Sequence, residues 1–210
     1  MDRSAYATKI VEGLSSGRRP RGFAPLYVAL LQELAKGMPV SPQTLADRVG
    51  QPLEHVAAVL GQAPNTEFDE RGNIVGYGIT LRPTPHVFEV DGQRLYTWCA
   101  LDALMFPALI GKQARIHSRC AETGAPVSLT VDANCAREVV PHGAVVSLVV
   151  PRADIRHSFC CNVHFFASDV VAARWVSRHP GTEAVSMGAA FMLGQEVVRQ
   201  LNHDAELSVV

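Results

Sequence analysis

Apolar residues recur along this chain first at helical and then at strand spacing, and the change of period divides it. Tyr6, Ile10, Val11 and Leu14 predict a short amphipathic helix over 4–14. A polar stretch with Gly and Pro (15–22) reads as a connector. Residues 25–36 predict a strong helix, stopped by Gly37 with Pro39 beyond it. Ser41 is placed to cap a third helix, with Pro42 at its first position and Gly50 breaking it. Residues 52–60 form the next. Residues 66–81 then read as a hairpin around a turn containing Asp69, Arg71 and Gly72. This order is that of a winged helix-turn-helix module.

After residue 82 the pattern changes. Pro83 and Pro85 punctuate a linker, 86–90 is a strand, Asp91-Gly92 a tight turn, and 94–98 a strand or helix entry. Pro107 is expected to kink or end the apolar helix that follows, with Gly111 after it. Runs at 114–120, 125–132, 136–141 and 144–151 predict one antiparallel sheet, with turns at Thr123-Gly124 and His142-Gly143. Residues 154–168 read as a loop entering a strand. Helices are expected over 170–179 and 188–202, with a frayed tail at 203–210. The fold class is therefore α+β: an N-terminal winged-helix-like helical module (1–82), followed by an antiparallel β-sheet core with flanking helices (83–210).

Composition narrows the function. With 48% hydrophobic and 19% charged residues, the 210-residue chain has the balance of an ordinary globular protein. The net charge of −1 gives no global attraction to nucleic acid or to an anionic membrane. Residues 1–80 carry as many Asp and Glu as Lys and Arg, and the would-be recognition helix 52–60 has no Lys or Arg. Phosphate contacts need cations, so a DNA role is disfavoured although the module resembles a DNA reader. The first 22 residues hold no long apolar run that would read as a signal peptide, and no segment reaches the roughly 18 apolar residues of a membrane span, so a cytoplasmic location is expected. In that compartment Cys99, Cys120, Cys135, Cys160 and Cys161 are thiols: core residues, metal ligands or nucleophiles.

Two cysteine sites carry candidate chemistry. Cys99 and Asp102 lie three residues apart in an apolar run, so on a helix they share a face. Alone, they read as an inert core thiol and a helix N-terminal carboxylate. The vicinal pair Cys160-Cys161 lies between His157 and His164, a spacing unsuited to common structural zinc. On an extended segment only one of the two thiols would face a pocket, the other packing inward. His157 and His164 read as surface or hydrogen-bonded residues. Cys120 reads as a core residue and Cys135 as partly exposed. Signatures for nucleotide-binding loops, dinucleotide folds, zincins and α/β-hydrolases are absent.

The segments 94–111, 120–131 and 157–168, with 30–41 and 69–82, resemble the organomercurial (alkylmercury) lyases of bacterial mercury resistance. The resemblance covers nearly the whole chain. It implies that Cys99, Asp102 and Cys160 are catalytic and hold mercury as substrate and product. It gives Cys120 a structural role and Cys161 none in the chemistry. It further implies no resident cofactor, assistance from low-molecular-weight external thiols, transfer of Hg(II) to a mercuric reductase, and no nucleic acid or membrane partner.

The residue types suit that chemistry on their own terms. Thiolates are the soft ligands a soft metal selects. An Asp in an apolar setting has a raised pKa and can carry a proton. Trp98, Phe106, Phe165 and Phe166 are candidates for a dry wall. Two other functions compete: a metal-responsive winged-helix transcription regulator with a cysteine sensor site, and a zinc-stabilised module built on His157, Cys160 and His164.

Overall fold

The computed structural model describes residues 2–14, 22–63, 65–152 and 154–207. Four helices open the chain: α1 (Arg3–Leu14), α2 (Phe23–Leu34), α3 (Pro42–Val49) and α4 (Leu53–Gly61). The Ser41 side chain accepts the Thr44 N–H at 3.0 Å, and Gly50 ends α3 with a positive φ of 64°, as the sequence predicts. The expected connector lies outside the described residues except for Gly22. Next comes the hairpin of β1 (Glu67–Phe68) and β2 (Ile74–Tyr77). Its turn is tied by the Asp69 carboxylate, which accepts the backbone N–H groups of Arg71 and Asn73.

The hairpin does not stand alone. Gly78 turns the chain, with φ of +84°, into β3 (Ile79–Thr80). Strand β3 then pairs with β5 (Gln93–Thr97), Ile79 opposite Thr97. With β4 (His86–Val90), β6 (Ala114–Arg119), β7 (Pro126–Val131) and β8 (Ala136–Val140), these strands form one eight-stranded antiparallel sheet in the order β1-β2-β3-β5-β4-β6-β7-β8. The sheet therefore continues through residue 82.

The helix α5 (Ala100–Ile110) leaves the end of β5 and lies between the sheet and α8 (Met187–Leu207). All of its residues are buried except Ala108, as suits a helix apolar all round. Pro107 sits inside α5 without ending it, and the stop comes at Gly111, with φ of 68°. Gly194 lets α8 approach, since a Cβ there would lie 3.0 Å from the Met105 Cβ.

The expected single sheet over 114–151 is in fact two. Strand β9 (Val145–Val149) leaves the first sheet and forms the centre of a second, in the order β10 (Phe165–Phe166), β9, β11 (Thr182–Ser186). Its run is apolar without alternation and its middle residues are buried, the pattern of a central strand. Strand β11 escapes sequence reading because it is short, polar and mostly exposed at a sheet edge. The segment 154–168 holds a short helix α6 (Ile155–Ser158), a 3-10 turn (Cys160–Asn162) and β10. Helix α7 (Asp169–Val176) follows, capped by Ser168. The expected fraying is not found through Leu207, where α8 continues with Leu201 and Ala205 packed on the core. No helix among the described residues is long and apolar enough to cross a membrane.

Candidate active site

Cys99 is the N-cap of α5 rather than a residue within it. Its backbone is extended, and its sulfur accepts the Asp102 N–H at 3.4 Å. Asp102, at the third helical position, returns the bond: its Oδ2 accepts the Cys99 N–H at 3.2 Å. This is a capping box with a thiol where Ser or Thr is usual. The three-residue spacing thus serves local folding, and it also fixes a sulfur and a carboxylate side by side. Thr97 adds a further tie, its hydroxyl donating to the Cys99 carbonyl at 3.0 Å.

The second thiol arrives from far along the chain. Ala100 donates its N–H to the Val163 carbonyl at 3.0 Å, joining the start of α5 to the end of the Cys160 turn. Ser147 on β9 clamps the same turn, donating to the Asn162 carbonyl at 2.7 Å and accepting the His164 N–H at 2.9 Å. The result brings Cys99 Sγ, a carboxylate oxygen of Asp102 and Cys160 Sγ within 4.8 Å of one another. No other group of three metal-ligating side chains gathers among the described residues. All three are buried, Cys99 completely.

Burial sets the protonation. Desolvation raises the Asp102 carboxyl to a pKa of about 7, against the opposing pull of its hydrogen bonds with Cys99. The Cys99 thiol is pushed well up by burial, with its hydrogen bond to Cys160 and the nearby Asp102 charge adding to the rise. For Cys160, the hydrogen bond with Cys99 pulls down, but burial and the charges of Asp102 and Cys161 push up and prevail. The resting site therefore holds protonated thiols beside a carboxyl able to gain or lose a proton near neutrality.

The remaining candidates fall elsewhere. Cys161 is exposed, not packed inward, because residues 160–162 form a 3-10 turn rather than an extended segment. Cys120 is buried and Cys135 exposed. His157 is a surface residue bonded to Asp154, and the His164 ring contacts the Cys161 carbonyl, so no zinc triad with Cys160 forms. Trp98 packs on Tyr77 and the Phe106 ring lies against Gly78, whereas Phe165 and Phe166 make ring contacts with His86 and Trp175.

One element escaped sequence reading altogether. The buried Glu67 of β1 accepts hydrogen bonds from Thr80 at 2.5 Å and Trp98 Nε1 at 3.1 Å, and pairs with Arg156 at 2.7 Å. The Arg156 guanidinium also lies 4.5 Å from the Trp98 ring centroid. Trp98 precedes Cys99, and Arg156 stands one helical turn before Cys160. Glu67 thus links both thiol-bearing segments to the hairpin. The only sequence signal was an acid at a strand position.

Comparison with known proteins adds to this geometry. Residues 79–199 match the family model described as "Alkylmercury lyase", and residues 5–78 match "Helix-turn-helix domain of alkylmercury lyase". The chain belongs to the alkylmercury lyase family. It is 56% identical over 208 residues to the alkylmercury lyase of Pseudomonas putida, covering 98% of each chain. It is 49% identical to that of Staphylococcus epidermidis, over 82% of this chain and 81% of the other. To that of Streptomyces lividans it is 43% identical, over 96% and 95%. The crystal structure of the mercury-bound form of MerB2 superposes with a TM-score of 0.80 at 22% identity, over 95% of this chain and 98% of that one, a likeness of fold. The N-terminal helices of this family member carry the helix-turn-helix pattern, while α4 presents no Lys or Arg.

Proposed function

We propose that this alkylmercury lyase family member cleaves the carbon–mercury bond by protonolysis, with Cys99 and Cys160 holding mercury and Asp102 carrying the proton. The observation behind this assignment is the closeness of two buried sulfurs and one buried carboxyl with a pKa near 7. The organomercurial arrives as R–Hg bound to an external thiolate. The first active-site thiol takes over the metal, its proton leaving with the departing external thiolate as the free thiol. The second thiol then adds its sulfur and passes its proton to the Asp102 carboxylate, and the extra electron density loosens the bond to carbon. Asp102 then gives its proton to that carbon. The pair of electrons of the C–Hg bond becomes the new C–H bond, and the hydrocarbon leaves. Hg(II) remains on the two thiolates beside the Asp102 carboxylate.

The apolar surroundings contribute twice. They hold Asp102 protonated for a useful fraction of the time at neutral pH, and they keep water from competing for the metal. Mercury is substrate and product in this scheme, so no resident metal is needed. Low-molecular-weight thiols in the cytoplasm then remove Hg(II), with a mercuric reductase as the acceptor. The test is release of methane from methylmercury, or benzene from phenylmercury, with excess thiol. Wild type is compared with Cys99→Ala, Cys160→Ala and Asp102→Ala. The expected result is turnover by wild type alone, and retained turnover in either Cys variant overturns the two-thiolate assignment.

A further inference from the structure

The outer face of the eight-stranded sheet carries charge that the molecule itself does not answer. An antiparallel strand with one face on the core alternates buried and exposed residues. In β6, Ala114, Ile116 and Ser118 are buried, while Arg115, His117 and Arg119 are exposed. In β5, Leu95 is buried and Arg94 exposed. Helix α5 packs on the buried side of β4 and β5, so the exposed side chains look the other way.

Register sets these cations in an array. Glu89 of β4 lies opposite Arg94 on one side and opposite Arg115 on the other. Opposite charges facing each other across strands normally pair. Here they do not. The Glu89 carboxylate lies 3.7 Å from His117 Nε2 instead, and Asp91 pairs with Lys112. Among the described residues, neither Arg94 nor Arg115 has an ion pair or a hydrogen bond from its side chain. Arg119 donates from one guanidinium nitrogen to the Gly124 carbonyl at 3.1 Å, which leaves the others open. Arg94, Lys112 and Arg115 also line an open cleft of about 660 Å³, where the turn between β4 and β5 meets the end of α5.

Size and sign decide what fits. Arg94 and Arg115 stand two strands apart, about 10 Å. Arg115 and Arg119 stand four residues apart on one strand, about 13 Å. A single phosphate or a small carboxylic acid cannot reach all three. A nucleic acid strand is long enough, but its phosphates would be repelled by Glu89 and Asp91, which stand among the cations. A protein segment can set a carboxylate on each arginine and a donor on Glu89. Arginine suits this task, because its planar fork binds a carboxylate through two N–H groups.

The geometry points to this face as a docking surface for an acidic segment of a second protein, its carboxylates pairing with Arg94, Arg115 and Arg119. The face lies across the sheet from α5, so a docked partner leaves the capping box of Cys99 uncovered. The inference stands apart from the assignment of Cys99, Asp102 and Cys160.

The test uses the full chain and a fluorescein-labelled peptide of alternating Glu and Ser, about twelve residues long, which spans the array when extended. Fluorescence anisotropy should show saturable binding at low salt that weakens as salt is raised. Arg94→Ala/Arg115→Ala should weaken it roughly five- to thirtyfold, and Arg94→Glu/Arg115→Glu should abolish it. Arg71 and Arg174 are exposed on other parts of the surface. Arg71→Glu/Arg174→Glu makes the same change in net charge there and should leave binding within about twofold of wild type. Thermal melts check that each variant is folded. Absence of saturable binding by wild type overturns the inference. An equal loss in the two reversed pairs overturns it as well, since net charge alone would then account for binding. Tighter binding of a single-stranded DNA of equal charge overturns it in favour of a nucleic acid surface. Displacement of the peptide by an equimolar amount of inorganic phosphate overturns it in favour of a single-anion site.

Discussion

The two segments that supply sulfur to the site are built in opposite ways. Cys99 is held locally: a four-residue capping box fixes its sulfur, its N–H and the neighbouring carboxylate in one stroke. Cys160 is held at long range, by β9 through Ser147, by α5 through Ala100 and by β1 through Arg156 and Glu67. A locally determined ligand keeps its place even when its surroundings loosen. A ligand held from a distance can swing when its clamps release. The anchors of the Cys160 turn are separable, so each can be removed without touching the capping box that holds Cys99.

The sharpest break in this contrast is chemical. Cys99→Ser and Cys160→Ser should each lower turnover of a mercurial at least about a thousandfold, since oxygen is a poor ligand for a soft metal. Their stabilities should differ little from wild type, which thermal melts would check. Asp102 gives the next largest effect, and it concerns stability. Its folded pKa of about 7 lies above its ordinary value of 3.8, so its favourable contribution is complete below pH 3.8 and lost as pH rises through 7. Asp102→Asn cannot lose it. The stability of that variant relative to wild type should therefore grow between pH 4 and pH 8, by roughly 4 kcal/mol at most. Urea melts at the two pH values measure it, and a difference independent of pH would show that Asp102 is not neutral in the resting site.

Arg156→Ala tests the long-range clamp. It leaves the carboxylate of Glu67 buried without its cation, at a cost of about 3 kcal/mol. It should also speed proteolysis within 151–162 while leaving α5 protected from amide exchange. Equal loosening of both segments would erase the distinction between them. The smallest effect is the cap itself. Cys99→Ala should destabilise the protein by about 1 kcal/mol relative to Cys99→Ser, because Ser keeps an acceptor for the Asp102 N–H.

The same contrast explains what the sequence disclosed. Cys99 and Asp102 were legible because three-residue spacing has one local meaning at a helix start, although their place at the cap itself was not foreseen. Cys160 was legible as chemistry only through its resemblance to a family, since nothing in local spacing says that it meets Cys99. Cys161 was misjudged because a 3-10 turn, not an extended segment, carries the pair. The helices of the first 60 residues were plain, α2 being stopped by Gly37 and α3 framed by Ser41 and Gly50. Strand partnership was not: β9 leaves its neighbours in sequence to pair with β10 and β11, a choice made by burial on both sides. Glu67 was invisible for the same reason, as its partners lie on other elements.

The sheet that runs across residue 82 also bears on how this protein can be cut or grafted. A fragment beginning at 83 would retain all three of Cys99, Asp102 and Cys160, yet it would lack β3 and present the bare edge of β5 to solvent. It would also leave the Trp98 indole N–H and the Arg156 guanidinium without their shared carboxylate. An engineer seeking a smaller mercury scavenger should therefore shorten the surface loops and keep the first three strands as part of the minimal unit.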